Sequence, residues 1–341
     1  MEAIILAGGF GTRLKPLTYT RAKSLLPIMN RPMISYIVNQ LPDEVNRVIL
    51  AVNYRKKEIE EFFEGNDFGK EIIVNEEKTP LGTGGAAKFA EKHITGSFFV
   101  LNSDIISSLD MKKMVDFHYK NNGFITISLW PVKNVSEFGV VDIEGDRIKK
   151  FVEKPRPEEA PSNLINAGAY FMEPEVMDRI ESGRLVSMEK EIFPKVIGEG
   201  KSFLGYRVSG YWIDVGRIKS YLRVHRILME KTGKENFVGE NCKIQGKVSG
   251  SCLGDGVFVG EGTEVRDSIL YDRVHVSEMA KMKNCVIGED CEIGRDSDLE
   301  NVVIGDNEVI EDGSMIRDKK IWTQKIPEGY PEEQVGNVLK R

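Results

Sequence analysis

At 341 residues the chain exceeds the usual size of one hydrophobic core, so two domains are expected. Its 29% charged and 41% hydrophobic residues are those of an ordinary globular protein, and a net charge of −6 argues against a nucleic-acid partner, whose binding surfaces are usually basic. No stretch approaches the ~18 apolar residues of a membrane span and no charged N-terminal region precedes a long apolar core, so no membrane partner is expected and a cytoplasmic location is the default.

The chain begins with an apolar run, Ala3-Ile4-Ile5-Leu6, that reads as a buried parallel strand. Ala7-Gly8-Gly9-Phe10-Gly11-Thr12-Arg13 follows it directly. Glycine at three of four positions lets backbone N–H groups converge on an anion, and the guanidinium of Arg13 suits a polyphosphate. Two better-known phosphate loops do not fit. No Gly-Lys-Ser/Thr follows, and a dinucleotide fingerprint would need glycine at Leu14 and an acidic residue after the second strand.

Further along, strand-like and amphipathic stretches alternate, as in a parallel sheet flanked by helices. Met33 to Leu41, Lys57 to Phe63 and Ala86 to His93 read as helices; Val48 to Val52, Ile72 to Val74 and Phe98 to Leu101 read as strands. Asp104 comes just after the last of these, on the rim where doubly wound sheets bind ligands. Phe138 to Phe151 suits a hairpin turning at Glu144-Gly145-Asp146. A helix from Ile218 to Met229 ends at Lys231-Thr232-Gly233-Lys234, a domain boundary.

Beyond that boundary the period changes. Aliphatic residues stand at 253, 259 and 265, then at 270, 276 and 282, at 287, 293 and 299, and at 304, 310 and 316, a 17-residue repeat in steps of six, six and five. Hexapeptide repeats of this kind build a parallel β-helix, with an imperfect coil through Val238 and Ile244 ahead of the regular ones. Small residues four after the aliphatics (Thr263, Ala280, Cys291, Ser297, Ser314) suit tight corners. The four cysteines (Cys242, Cys252, Cys285, Cys291) form no Cys-x-x-Cys pair and read as small buried residues, and the four scattered histidines match no ligand spacing.

Gly8-Gly9-Phe10-Gly11-Thr12-Arg13-Leu14, with Pro16-Leu17-Thr18, Lys23 and Pro27, resembles the signature of the sugar-1-phosphate nucleotidylyltransferases. The resemblance implies that Leu6, Ala7, Gly8, Gly9, Gly11 and Thr12 wrap a nucleoside triphosphate, with Arg13 and Lys23 catalytic. It differs at Ala22-Lys23-Ser24, where the family has Pro-Lys-Pro. Asn102-Ser103-Asp104 and Tyr211-Trp212-Ile213-Asp214-Val215-Gly216 look like its two metal segments, so Asp104 and Asp214 are implied to hold the cofactor Mg²⁺. Glu137-Phe138-Gly139, Glu153-Lys154-Pro155 and Asn166-Ala167-Gly168 look like its sugar-phosphate blocks, which assigns Gly139, Glu153, Lys154, Asn166 and Gly168 to that substrate. Leu81-Gly82-Thr83 corresponds to the stretch that contacts the base, so Gly82 and Thr83 join the nucleotide set. Glu77 lies five residues before Gly82, and a carboxylate there would accept both adjacent donors of guanine.

The resemblance covers nearly the whole chain. It implies a doubly wound, mostly parallel α/β sheet over residues 1–231 and a left-handed hexapeptide β-helix over 237–320; the remaining stretch, 321–341, with prolines at 327 and 331, reads as a tail that caps or makes contacts. Asn102-Ser103-Asp104, Leu81-Gly82-Thr83-Gly84-Gly85 and Val52-Asn53-Tyr54-Arg55 look most like the mannose-1-phosphate guanylyltransferase branch, which often has Ala where Gly84 stands and Pro where Ala86 stands. The expected reaction joins a sugar 1-phosphate to a nucleoside triphosphate. Rival readings are a thymidylyl or uridylyl enzyme on glucose 1-phosphate, a non-catalytic regulatory subunit of the kind found in the translation-initiation exchange factor, and a bifunctional acyl transferase. Open ends and faces of an isolated solenoid lead to an expected homo-oligomer through the C-terminal domain.

Overall fold

The N-terminal apolar run forms strand β1, Glu2–Leu6, in the middle of the parallel half of a nine-stranded sheet. The other strands are β2 (Arg47–Val52), β3 (Glu71–Glu76), β4 (Phe98–Asn102), β5 (Ile125–Pro131), β6 (Gly139–Glu144), β7 (Arg147–Glu153), β8 (Leu164–Met172) and β9 (Phe203–Arg207), in the order β3-β2-β1-β4-β8-β5-β9-β7-β6. From β3 to β4 all pairings are parallel; β8 runs antiparallel to both its neighbours, and β6 and β7 form the expected hairpin around Gly145. This computed structural model describes residues 1–327 and Tyr330; the rest of the expected tail lies outside the described residues.

The apolar residues of β1, β2 and β4 are buried, except Leu6, which is half-buried at the carboxyl end of β1, and this burial is why these strands read as unbroken hydrophobic runs. Ile4, Ile49, Val100, Ile127, Tyr170 and Phe203 belong to one core cluster. Each such side chain contributes roughly 1.5–3 kcal/mol by leaving water. Helices Met33–Gln40 and Lys56–Glu64 fall where the apolar spacing predicts them. The third begins earlier than expected, at Gly82, and ends at Phe89.

The chain divides into two compact units, Met1–Gly9 with Ile34–Ile213, and Phe10–Met33 with the chain from Asp214 on. The division passes through the glycine stretch itself, between Gly9 and Phe10.

In the second unit, helix Ile218–Lys231 leads into the parallel β-helix. Three sheets of parallel strands form its faces, with Cys252–Leu253, Phe258–Val259 and Glu264–Arg266 in its first regular coil. Register advances by 17 residues, as in Leu253↔Leu270 and Ile287↔Ile304, whereas the coil before it is shorter, with Val238 opposite Leu253. Eleven of the twelve repeat aliphatics are buried, from Leu253 through Ile310, and Ile316 packs against the same core half-exposed. Corner residues take left-handed backbone in register, at Gly256, Arg273, Asp290 and Asn307 on one edge, and short polar side chains and glycine dominate these positions. The small residues expected at corners sit one step later: Thr263, Ala280, Cys291 and Ser297 are buried just after a left-handed residue. All four cysteines are free, and burial pushes the Cys291 thiol up to about 12.

Candidate active site

In the first unit the candidate residues gather at the carboxyl ends of β1 and β4 and in the amino-terminal half of β8, which runs antiparallel to β4. Leu6 pairs with Asn102 across β1 and β4, Ser103 N–H donates to Leu6 O at 3.3 Å, and Ala7 N–H donates to Ala51 O at 2.8 Å. Gly8 passes so close to Asn53 that an added Cβ would lie 3.3 Å from that residue's Cβ, while Gly9 faces open space. Asp104 stands in the turn just after β4.

Asn53 Nδ2 donates to Glu77 O at 2.9 Å, and Glu77 Oε2 accepts Leu81 N–H at 3.0 Å. Glu77 is only 6% exposed, so it is a buried carboxyl that fixes the loop before Gly82 rather than a solvated one; burial raises its pKa. The run Gly82-Thr83-Gly84-Gly85 crosses the Arg184–Val186 backbone at close range. A Cβ on Gly82, where φ is +72°, would stand 2.6 Å from Val186 O, and Gly84 N–H donates to the same oxygen at 2.8 Å. These glycines serve a backbone crossing, and that crossing explains why the helix starts at Gly82.

Thr83 then opens a connected series of polar contacts. Its hydroxyl donates to Glu189 Oε2 at 2.7 Å; Glu189 Oε1 accepts from Tyr170 OH at 3.4 Å; Tyr170 OH accepts from Asn166 Nδ2 at 2.8 Å. Asn166 Oδ1 accepts Gly168 N–H at 3.0 Å, and a Cβ on Gly168 would meet Asn102 Nδ2 at 2.7 Å. The series therefore runs from the stretch assigned to the base, through the sugar residues, back to the end of β4. Asn166-Ala167-Gly168 can face this rim because β8 bulges there: Asn166 pairs with Leu129 but Tyr170 with Ile127, four steps opposite two.

Gly139 and Glu153 face each other across β6 and β7, and a Cβ on Gly139 would be 2.9 Å from Glu153 Oε2 and 2.3 Å from Phe151 Cζ. Burial raises the Glu153 pKa, and the negative charge of Glu189 adds to it against Lys154. Lys154 Nζ lies 3.5 Å from Glu153 Oε1 on a side chain that is 63% exposed. Glu189 and Tyr170 have no counterpart among the residues picked from sequence. Glu189 rides on a π-helical turn, Met188–Ile192, whose Ser187 hydroxyl accepts Lys190 N–H at 3.2 Å. That serine before a mixed-charge run was the available signal, a helix start.

In the second unit Gly11 has left-handed backbone with φ 66°, and a Cβ there would meet Thr18 Cγ2 at 2.7 Å and Lys23 Cβ at 3.1 Å. Thr12 and Arg13 form a 3₁₀ turn, and Lys23 begins another. A Cβ on Gly216 would lie 2.7 Å from Asp214 Oδ1 and 3.0 Å from Arg13 Nη2, so both charged groups converge on that glycine. Among the described residues no group of three or more His, Cys, Asp or Glu side chains is assembled to hold a metal.

Comparison with known proteins matches both parts of the chain. The Nucleotidyl transferase family model matches residues 2–231, and the model for the GMPPB C-terminal domain matches residues 227–334. The chain is 36% identical over 314 residues to a probable mannose-1-phosphate guanylyltransferase 2 of Oryza sativa, covering 84% of this chain and 86% of that one. It is 33% identical over 293 residues to a mannose-1-phosphate guanylyltransferase of Mycobacterium tuberculosis, covering 81% of each, and 42% identical over 231 residues to a mannose-1-phosphate guanyltransferase of Kluyveromyces lactis, covering 65% and 63%. Members of the matched family generally use a divalent metal. No helix among the described residues is long and apolar enough to cross a membrane. With its glycine stretch, its sheet rim and its β-helix all accounted for, this chain belongs to the nucleotidyl transferase family.

Proposed function

We propose that the protein transfers GMP from GTP to mannose 1-phosphate, giving GDP-mannose and pyrophosphate. The observation that carries this reading is the unbroken polar series from Thr83 through Glu189, Tyr170 and Asn166 to Gly168 on the sheet rim. A sugar ring offers several hydroxyls, and this series offers carboxylate, amide and phenol groups in one place. The names of the relatives supply the base and the sugar.

In the reaction the phosphate oxygen of the sugar attacks the α-phosphorus of the triphosphate. A new P–O bond forms as the bond from the α-phosphorus to the β-bridging oxygen breaks, and pyrophosphate leaves with that electron pair. Two unit anions 4 Å apart repel by about 4 kcal/mol at an effective dielectric near 20, and several such pairs meet here. Arg13 and Lys23 neutralise the triphosphate, Lys154 neutralises the sugar phosphate, and Glu153 and Asn166 orient the hydroxyls. Leu6, Ala7, Gly8, Gly9, Gly11 and Thr12 line the triphosphate. Glu77 acts on base choice by holding Leu81 in place beside Gly82 and Thr83. Asp104 and Asp214 are assigned to Mg²⁺, which when bound supplies positive charge to the phosphate oxygens.

Rates with GTP, dTTP and UTP, each with mannose 1-phosphate and glucose 1-phosphate, test this reading. GTP is expected to be favoured over dTTP and UTP by roughly ten- to a hundred-fold in kcat/KM, and Glu77→Gln, which weakens the acceptor holding Leu81 N–H, is expected to narrow that margin. Equal or better use of dTTP or UTP would overturn the guanine assignment; no turnover of any pair would favour a regulatory subunit. Asp104→Ala and Asp214→Ala should each abolish turnover with an unchanged circular dichroism spectrum. Magnesium-dependent activity in both variants would put the metal elsewhere.

A further inference from the structure

The segment Phe10–Met33, which carries Arg13 and Lys23, lies along the β-helix coil by coil within one compact unit. Asn30 Nδ2 donates to Leu253 O at 3.2 Å. Tyr221 OH donates to Pro27 O and lies 2.8 Å from Tyr271 OH. The Arg21 guanidinium sits 4.9 Å from the centre of the Tyr271 ring, donates through Nη1 to Glu289 Oε1 at 2.9 Å and through Nη2 to Asp306 Oδ2 at 2.6 Å. Thr20 Oγ1 donates to the same Asp306 oxygen at 2.5 Å. The Tyr19 ring is 5.2 Å from that of Trp322, and Lys320 Nζ donates to Arg13 O at 3.0 Å.

The partners belong to successive coils. Glu289 and Asp306 are 17 residues apart, the repeat itself, so Arg21 bridges the same corner position on two neighbouring turns. Asp306 Oδ1 is already used by that corner, where it accepts Glu289 N–H at 2.8 Å. The side chains of Arg21 and Asp306 are only 15% and 7% exposed, so this pair differs from solvated surface ion pairs: deleting one member leaves a buried charge uncompensated. Burial works against the Arg21 charge, but Asp306, Tyr271 and Glu289 hold its pKa above the ordinary value.

We propose that the β-helix is the template of the catalytic segment and that Arg21, clamped between Glu289 and Asp306, is the positioning residue that sets Arg13 and Lys23 through the main chain. This rests on the reading above in one respect, that Arg13 and Lys23 act on the triphosphate. Arg21, held by the Glu289 and Asp306 carboxylates, acts through the two residues it positions. A misplacement of about 1 Å in such groups costs on the order of a hundred-fold in rate.

The test uses full-length Arg21→Ala, Arg21→Lys and Asp306→Asn, with Arg295→Ala as control, since Arg295 pairs with Glu278 on the β-helix surface and touches neither clamp carboxylate. Amide hydrogen exchange is expected to quicken in residues 10–33 of the Arg21 and Asp306 variants and not in the control. Unchanged exchange there overturns the proposal whatever the substrate. In turnover, Arg21→Ala should lose about ten- to a hundred-fold in kcat while KM for mannose 1-phosphate stays within about twofold, because Glu153 and Asn166 lie in the other unit. Millimolar guanidinium should restore part of the loss. A lower melting temperature with kcat unchanged would mean that the clamp only stabilises, which contradicts positioning. Should Arg21→Ala not fold, Arg21→Lys keeps the charge and loses the fork, and wild-type kcat in it overturns the proposal. Faster exchange in variants of an enzyme inactive on every substrate would leave the template standing and defeat the functional reading alone.

Discussion

Gly139 shows how a single missing side chain shapes the candidate site. The space a Cβ would need is filled by Phe151 and by Glu153 Oε2, so the Glu153 carboxylate can stand on the rim only because its cross-strand neighbour has no side chain. Gly139→Ala is expected to push Glu153 aside, raising KM for the sugar phosphate by about ten-fold or more while KM for the nucleotide changes little, as steady-state kinetics would read. Equal changes in both constants would mean that the sheet edge, not the carboxylate, had moved. Most of the candidate residues were legible from sequence because signature blocks preserve residue types whose chemistry is explicit: glycines, aspartates, Glu-Lys-Pro. Glu189 was not. Ser187-Met188-Glu189-Lys190-Glu191 reads as a solvated helix start, and only a π-helical turn aims that carboxylate at Thr83 and Tyr170.

At the scale of elements, hydrophobic period decided nearly everything the sequence made visible. Buried parallel strands appear as apolar runs, and the β-helix as a 17-residue repeat whose aliphatics turn inward. The helix expected from Ala86 begins at Gly82 because Gly82 and Gly84 let two backbones cross at Val186, a tertiary demand that overrides glycine's poor helix propensity. Helix Ile218–Lys231 carries a titration of its own. His225 is 2% exposed, its Nδ1 is 2.8 Å from Tyr221 O, and burial pushes its pKa down to about 4. The unfolded chain therefore takes up a proton near pH 6.5 that the folded chain refuses until about pH 4. Stability from this group is full above pH 6.5 and is lost as pH falls toward 4, by up to about 1.4 kcal/mol per pH unit. Melting temperatures between pH 7 and 5 should fall less steeply in His225→Gln than in the wild type; parallel curves would show that another group sets the slope.

For the whole molecule, chain order hid the main relation. A boundary near residue 231 follows from where the periodicity changes, yet Phe10–Met33 belongs to the same compact unit as the β-helix. Nothing local in Thr20-Arg21-Ala22-Lys23 announces partners nearly three hundred residues away; the acidic corners at 289 and 306 become a surface only when the coils stack. The opening coil behaves differently. Val238 and Ile244 are 44% and 39% exposed, an uncapped apolar end of the kind solenoids cover by association. Sedimentation should show self-association that Val238→Glu with Ile244→Glu weakens, and a monomer at high concentration would contradict it.

The central claim is nucleotidyl transfer onto a sugar phosphate by charge and placement, and pyrophosphate release by the full-length protein tests it most directly. With GTP, mannose 1-phosphate and magnesium together, one pyrophosphate should appear for each GDP-mannose; omission of the sugar phosphate should stop it, and Arg13→Ala should slow it by at least about a hundred-fold. Pyrophosphate formed from GTP without the sugar phosphate, or formed as fast by Arg13→Ala, would contradict the account.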